Sequence, residues 1–300
     1  MTRIGLARRR VLQIAAALPL VGLSPRAMAA APVARWQGTA LGAESQIVLS
    51  GLQAGEAAPV FAMVRDEIAR LEGVFSLYLG QSQLSRLNET GVLQRPGAEL
   101  LEVLSLSHAV WDASLGAFDP SVQPLWRARA MGHAPARRSG DFGDVRFSAD
   151  AVTLRPGLAL TLNGIAQGYI TDRVAELLRR QGLTDLVVDA GEQRALGARP
   201  GGGGWRLGVA EPGGAVVARL SLTDRALATS SSLGTLLADG GGHILDGRSG
   251  VSAARWSTVS VTHDSAAVAD ALSTAGCCLT VEETERMLAR FDGARLAYRA

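Results

Sequence analysis

Asp270 and Thr274 stand four residues apart in a small-residue stretch, Ala269-Asp270-Ala271-Leu272-Ser273-Thr274-Ala275. On a helix that spacing places both side chains on one face. A carboxylate and a hydroxyl so placed offer two oxygens to a hard cation such as Mg²⁺. Alone, such a pair is more often a local hydrogen bond on a helix surface. Gly164 sits where a predicted helix begins, so unpaired backbone N–H groups there could receive a phosphate. A lone glycine in that place is also an ordinary turn. His243 opens His243-Ile244-Leu245-Asp246, and a single histidine is more often structural than catalytic. Tyr78, close behind Phe75, reads by itself as a core aromatic.

These residues lie in four segments dense in polar and glycine residues beside apolar runs. They are Tyr78 to Asn88, Gly116-Ala117-Phe118-Asp119-Pro120, Leu160 to Tyr169, and the pair His243 to Asp246 with Asp270 to Thr274. The elements that must position them follow from periodicity. A strand or hairpin covers 34–50. A helix over 56–77 repeats Val60, Val64, Ile68, Leu71 and Phe75. The stretch from Gly80 to Asn88 reads as a polar connection. A second helix over 98–114 turns Leu100, Leu101, Leu104, Ala109 and Trp111 inward. Residues 115–150 read as a long loop with short strands. A third helix runs from Ile165 to Gln181 and stops at Gly182. Short strands follow at 186–188, 205–209 and 218–222, with Gly201 to Gly204 as a hairpin turn. Those glycines precede Trp205 rather than Lys-Ser/Thr, so they are not a phosphate-binding P-loop. The end of the chain gives a strand at 258–262, helices at 265–276 and 282–291, and a strand at 295–298. Helices and strands mix without regular βαβ alternation, which predicts an α+β fold with mixed sheets and flanking helices.

At 300 residues and 47% hydrophobic the chain can bury a substantial core, which excludes disorder as its main state. All 30 basic residues are Arg, and five of them precede residue 30, where there is no acid. Beyond residue 29, 25 Arg face 28 acidic residues, so the body lacks the basic excess of a nucleic-acid-binding protein. The N-terminus reads as an address. Arg8-Arg9-Arg10 precedes an apolar run from Val11 to Leu23, too short for a membrane span, and Ala27-Met28-Ala29 suits cleavage. Residues 1–29 are thus expected to be a twin-arginine signal peptide, with residues 30–300 as one domain in the periplasm. The adjacent Cys277 and Cys278 read as buried free thiols, because neighbouring cysteines meet disulfide geometry poorly.

In order along the chain, these segments resemble the motifs of the ApbE family, the FAD:protein FMN transferases, over about residues 36–298. Tyr78 to Asn88 is similar to the family's Tyr-x-x-x-Ser-x-Leu-Ser-Arg-x-Asn. Gly116 to Pro120 matches Gly-Ala-Phe-Asp-Pro intact. Asn163 to Tyr169 resembles Gly-Gly-Ile-Ala-Lys-Gly-Tyr, and His243 to Gly250 resembles His-Ile-Ile-Asp-Pro-x-x-Gly. Ala269 to Ala275 matches Ala-Asp-Ala-Leu-x-Thr-Ala. The variant around Asn163 to Tyr169 is similar to the subgroup tied to nitrous-oxide reduction, the NosX-like proteins.

The resemblance implies a single α+β flavin-transferase domain. It implies Mg²⁺ held by Asp270 and Thr274, with an oxygen at Gly164 completing the protein ligands. Tyr78 would pack on the isoalloxazine, Ala117, Phe118 and Asp119 would line the nucleotide pocket, and Ile244 would contact FAD through its backbone. Leu41 stands where the family often has Met-Gly-Thr. Thr161 and Gln167 replace an Asp and a Lys or Glu at two positions associated with FAD binding. The implied reaction moves FMN from FAD to a Thr or Ser hydroxyl of a periplasmic or membrane-anchored flavoprotein and releases AMP. His243 is the expected base or organiser of the acceptor, with Asp246 as the alternative. FAD pyrophosphatase activity, with water as acceptor, and non-catalytic flavin carriage are the rival readings. An intact metal pair favours transfer, since a carrier has no need of Mg²⁺.

Overall fold

The computed structural model of the chain describes residues 31–134 and 139–300; the expected signal peptide lies outside the described residues. In chain order the structure opens with β1 (Val33–Ala40) and β2 (Ala43–Ser50), then α1 (Ala54–Phe75) and α2 (Gln83–Thr90). β3 (Val92–Gln94), α3 (Ala98–Ala113) and α4 (Gln123–Ala130) follow. Next come β4 (Arg146–Phe147), β5 (Ala151–Thr153), α5 (Ala166–Arg180), β6 (Leu186–Asp189) and β7 (Gln193–Leu196). The chain continues through β8 (Trp205–Ala210), β9 (Val216–Leu222), β10 (Arg225–Ser231) and β11 (Thr258–His263). It closes with α6 (Ala266–Gly276), α7 (Val281–Leu288) and β12 (Arg295–Arg299). The fold class is the expected α+β. The sheets that read as mixed are antiparallel at every pairing between named strands.

Seven strands form one sheet in the order β1-β2-β6-β7-β10-β11-β12, so the first and last strands lie at its two edges. Strand side chains alternate between faces, and both faces are used here. Ile47, Leu49, Leu186 and Val188 point into the main core with the helices. Their neighbours Val48 and Val187, with Ala195 and Leu227, turn to the other face and meet Trp205, Leu207 and Val209 of the β8–β9 pair. On the helical side, α1 buries Ala57, Phe61, Val64, Ile68, Leu71, Val74 and Phe75, so Phe61 rather than Val60 belongs to the inward stripe. In α3 the inward face is Leu100, Val103, Leu104, Ser107 and Val110, and Ala109 is exposed.

Three sequence expectations are corrected. The polar stretch after Gly80 contains helix α2. Ser82 caps its start by accepting from the Ser85 amide at 3.0 Å, and Gly91 ends it at φ 74°. Its inward residues are only Leu84 and Leu87, too few to register as a period. The long loop after 115 contains α4. Gly201 to Gly204 does not close a hairpin: it connects β7 in the large sheet to β8, which pairs with β9. Cys277 and Cys278 are buried free thiols, and burial pushes the Cys277 thiol up to about 12.

Helix α6 decides where the chemistry sits. It packs against β10, β11 and α5, and every residue from Ala266 to Gly276 is buried except Thr274. A helix enclosed on all sides is apolar all round; here the Ala residues also keep it thin enough to fit between sheet and helix.

Candidate active site

Glycines bring α6 and the start of α5 together. A Cβ on Gly168 would lie 2.3 Å from the Ala266 carbonyl oxygen, so the two backbones touch there. A Cβ on Gly164 would come 3.0 Å from Thr274 Oγ1 and 3.3 Å from the Phe118 ring. The Gly168 amide donates to Asp270 Oδ2 at 3.1 Å. Gly164 thus faces Thr274 and Gly168 faces Asp270, two four-residue spacings running in opposite directions. Of the three residues expected to hold a metal, Gly164 meets Thr274, while Asp270, one turn away on α6, accepts from Gly168. Beside it, Ser230 at the end of β10 lies 3.1 Å from Thr274 Oγ1 and 2.7 Å from Ser273 Oγ. The donor set is all oxygen with a single carboxylate, which fits a hard cation such as Mg²⁺. Among the described residues no group of three or more His, Cys, Asp or Glu comes together as a metal site.

Gly168→Ala is expected to destabilise the fold by about 1–3 kcal/mol, because the added methyl meets backbone that cannot rotate away. Urea unfolding of variant and wild type would measure this, and equal midpoints would contradict the close approach.

Phe118 belongs to the segment Gly116 to Pro120. That segment is locked to the His243 loop: the Gly247 amide donates to the Ala117 carbonyl at 3.0 Å. A Cβ on Gly247 would lie 2.3 Å from that of Asp119, so only glycine fits there. Asp119 Oδ1 accepts from the Ser121 amide at 2.7 Å and its hydroxyl at 2.6 Å. The Thr161 amide donates to the Pro120 carbonyl at 2.8 Å, which ties this segment to the approach of α5. A cleft of about 500 Å³ opens here, lined among others by Trp111, Leu115, Gly116, Asp119, Gly247 and Arg248.

Ile244 is buried, and its carbonyl accepts from the Ala253 amide at 2.8 Å. His243 is half-buried. Its amide donates to the Thr235 carbonyl at 3.0 Å, and its ring faces Gly234, in the turn that follows β10 and Ser230. Asp246 is used differently from His243. Its two carboxylate oxygens receive Arg248 Nε at 3.0 Å and a terminal Arg248 nitrogen at 2.7 Å, and Arg248 also reaches Glu283 at 3.0 Å.

Tyr78 and Leu41 both sit at the C-terminal end of α1. Tyr78 is 65% exposed, which overturns its reading as a core aromatic. The loop that presents it is knit by serines. Ser76 Oγ accepts from the Tyr78 and Leu79 amides, and the Ser82 and Ser85 hydroxyls donate to the Ser76 carbonyl. Leu41 occupies the β1–β2 turn at φ 47°, and its amide donates to Glu72 Oε1 at 2.8 Å. Phe75, in the last turn of α1, meets the Tyr169 ring edge-on at 5.5 Å. Asn88, the last residue of the Tyr78 motif, grips the Leu160 backbone with both ends of its amide, at 2.8 and 2.7 Å.

Gln167 is buried with its amide against Gly191 in the β6–β7 turn. Asp189, which no sequence motif flagged, ends β6 just before that turn. Burial pushes its carboxyl up to about 6, against hydrogen bonds from Gln193 and the Gly191 amide that lower it. In the unfolded chain the group titrates near 3.8. Below that pH both states hold the proton. Between about 4 and 6 the unfolded chain releases it first, so this contribution to stability falls as pH rises and stays lost above 6. Asp189→Asn is therefore expected to be more stable than wild type at pH 7.5 by about 2–3 kcal/mol, with the gap closing toward pH 4. Urea midpoints at pH 4 and 7.5 measure this; a gap that widens toward pH 4 would contradict it.

The sequence reading missed Ser230, Asn88 and Asp189. The polar run Thr229 to Ser232 was a visible signal for the first, and Asn88 lay within a motif without an assigned role. Asp189 carried no local signal.

Residues 41–297 match the ApbE family. The FAD:protein FMN transferase of Klebsiella pneumoniae is 26% identical over 211 residues, which cover 61% of this chain and 63% of that protein. The chain thus matches less than two thirds of that relative's length. The flavin transferase ApbE from Vibrio cholerae superposes with a TM-score of 0.72 at 22% identity, over 90% of this chain and 97% of that one. The ApbE protein from Thermotoga maritima superposes with a TM-score of 0.76 at 26% identity, over 87% of this chain and 92% of that one. The family match spans most of the chain and takes in the helix pair, the Gly116 to Pro120 segment and the His243 loop: the chain belongs to the ApbE family.

Proposed function

We propose that this chain is a Mg²⁺-dependent FAD:protein FMN transferase acting on a Thr or Ser hydroxyl of a periplasmic or membrane-anchored flavoprotein. The observation that carries the reading is the meeting of Gly164 with both Thr274 and Phe118, one turn of α6 from the Asp270 carboxylate, which sets oxygen donors beside the proposed nucleotide segment. The Klebsiella relative's activity agrees with it. A bound cation would offset negative charge on the FAD pyrophosphate.

The chain's own residues supply position and proton transfer. Asp270 and Thr274, with Gly164, would hold the cation. Ala117 to Asp119 and the Ile244 backbone border the nucleotide, with Thr161 and Gln167 at its edge. Tyr78 offers an exposed ring for the isoalloxazine, near Leu41 at the same end of α1. The acceptor oxygen forms a bond to the FMN phosphorus as the phosphoanhydride bond to AMP breaks. His243 takes the hydroxyl proton, and AMP leaves with the bridging oxygen. Phosphoryl transfer of this kind depends on positioning and charge neutralisation more than on covalent catalysis.

The N-terminal twin-arginine pattern supports a periplasmic setting, and the Asn163 to Tyr169 variant supports an acceptor connected with nitrous-oxide reduction. Incubation with FAD, Mg²⁺ and candidate periplasmic acceptors, read by in-gel flavin fluorescence, tests the reading. Covalent flavin on an acceptor, dependent on Mg²⁺, is expected. FAD cleavage to FMN and AMP without labelling any acceptor would replace transfer with hydrolysis.

A further inference from the structure

Asp172 lies one turn beyond Gly168 on α5, outside the segments described above, and its carboxylate reaches the start of α6. Oδ1 accepts from the Ala266 amide at 2.8 Å and pairs with Arg194 of β7. Oδ2 accepts from Ser265 Oγ at 2.7 Å and from the Ala267 amide at 3.1 Å. The next amide of α6, that of Val268, is taken by Ser265 Oγ at 3.3 Å. The first-turn amides of a helix have no partner within it and carry partial positive charge. Here most of that end is satisfied by a carboxylate from another helix.

We propose that Asp172 is a positioning residue for the cation site: it sets the axial register of α6 against α5, and so holds Asp270 opposite Gly168 and Thr274 opposite Gly164. The inference rests on the reading that a divalent cation binds there. The closest backbone approach between the helices is that of Gly168 to Ala266 and Ala267, small residues that set the separation but offer no large side chain to stop sliding. A helix that slips by one residue moves about 1.5 Å along its axis. That displacement would take Thr274 off Gly164 and break the Gly168–Asp270 hydrogen bond. Four donors converging on one carboxylate resist the slip. A simple capping role would lower stability and leave the cation site as it was.

The test is Mn²⁺ binding to the full chain with FAD and no acceptor, followed by electron paramagnetic resonance, beside thermal unfolding. Asp172→Asn is expected to weaken Mn²⁺ binding by about 10- to 100-fold, the range seen when a group supporting a metal ligand is removed. Ser265→Ala, which removes the helix cap but leaves the Ala266 and Ala267 contacts, is expected to lose stability while keeping near wild-type affinity. Should Asp172→Asn fail to fold, Asp172→Glu, whose longer reach shifts the clamp, is read in its place with the same outcomes. Unchanged Mn²⁺ affinity in the Asp172 variant, or weakening in both variants in step with lost stability, would overturn the inference alone. A wild-type chain that binds no Mn²⁺ would overturn the cation reading and the inference with it.

Discussion

Asp270→Ala is expected to abolish flavin transfer in a chain that still folds. Asp270 is the charged member of the proposed donor set, one turn of α6 from Thr274, and neutral oxygens hold Mg²⁺ poorly. Charge stabilisation by such a cation is worth several kcal/mol in the transition state, so the rate should fall at least about a hundredfold. The carboxylate is 3% exposed and accepts the Gly168 amide, so deleting it also orphans a buried donor, at a cost of about 1–3 kcal/mol. Asp270→Asn separates the two effects. It keeps the volume and an oxygen for Gly168 while removing the charge, and it should lose transfer with less loss of stability. Flavin incorporation at limiting and saturating Mg²⁺ reads the first effect and urea unfolding the second. Full activity of either variant at limiting Mg²⁺ would sink the assignment of Asp270 to the cation.

His243→Ala is expected to slow transfer by about 10²- to 10⁴-fold, the usual contribution of a general base. FAD affinity should change little. The Ile244 backbone beside it serves the nucleotide in this reading, while the imidazole acts on the acceptor hydroxyl as the phosphorus is attacked. An interaction made mainly in the transition state lowers the rate without weakening ground-state binding. The loop is also held by contacts that the substitution leaves alone: the amide of residue 243 to Thr235, Gly247 to Ala117, and Ala253 to Ile244. FAD binding is followed by fluorescence quenching and transfer by flavin incorporation, both at saturating Mg²⁺. A near wild-type transfer rate would make His243 structural. Asp246 would then be next, although Arg248 already occupies both of its carboxylate oxygens.

The site was legible in the sequence where its function is carried by residue type at short spacing. Asp270 and Thr274 are one helical turn apart, so their shared face followed from periodicity alone. The close backbone approach at Gly164 and Gly168 was not read from the sequence and appears only in the structure. The helical stripes of α1 and α3 were readable because many buried positions repeat, although Phe61 and Val103 show that single positions can be misplaced by one or two residues. Short elements were not readable. Helix α2 buries two leucines and owes its boundaries to Ser82 and Gly91. The connection at Gly201 to Gly204 looks like a hairpin turn because local sequence does not record which sheet each flanking strand joins.

By itself the sequence determined the family, the α+β class, the oxygen-donor pair on α6 and the order of the motifs, because each is written in neighbouring residues. Only the tertiary structure decided which partners those residues meet. Gly164 finds Thr274, and Asp172 finds the first turn of α6, across about a hundred residues of chain. Ser230 meets Thr274 because β10 packs against α6. Tyr78 is exposed because a serine network turns its loop outward, although its sequence neighbour Phe75 is buried. Asp189 acquires its raised pKa because it is buried at the end of β6. The physical reason is common to all five. Hydrogen bonding, burial and close backbone contact depend on distances in space, and those distances exist only once the sheet and its helices have packed.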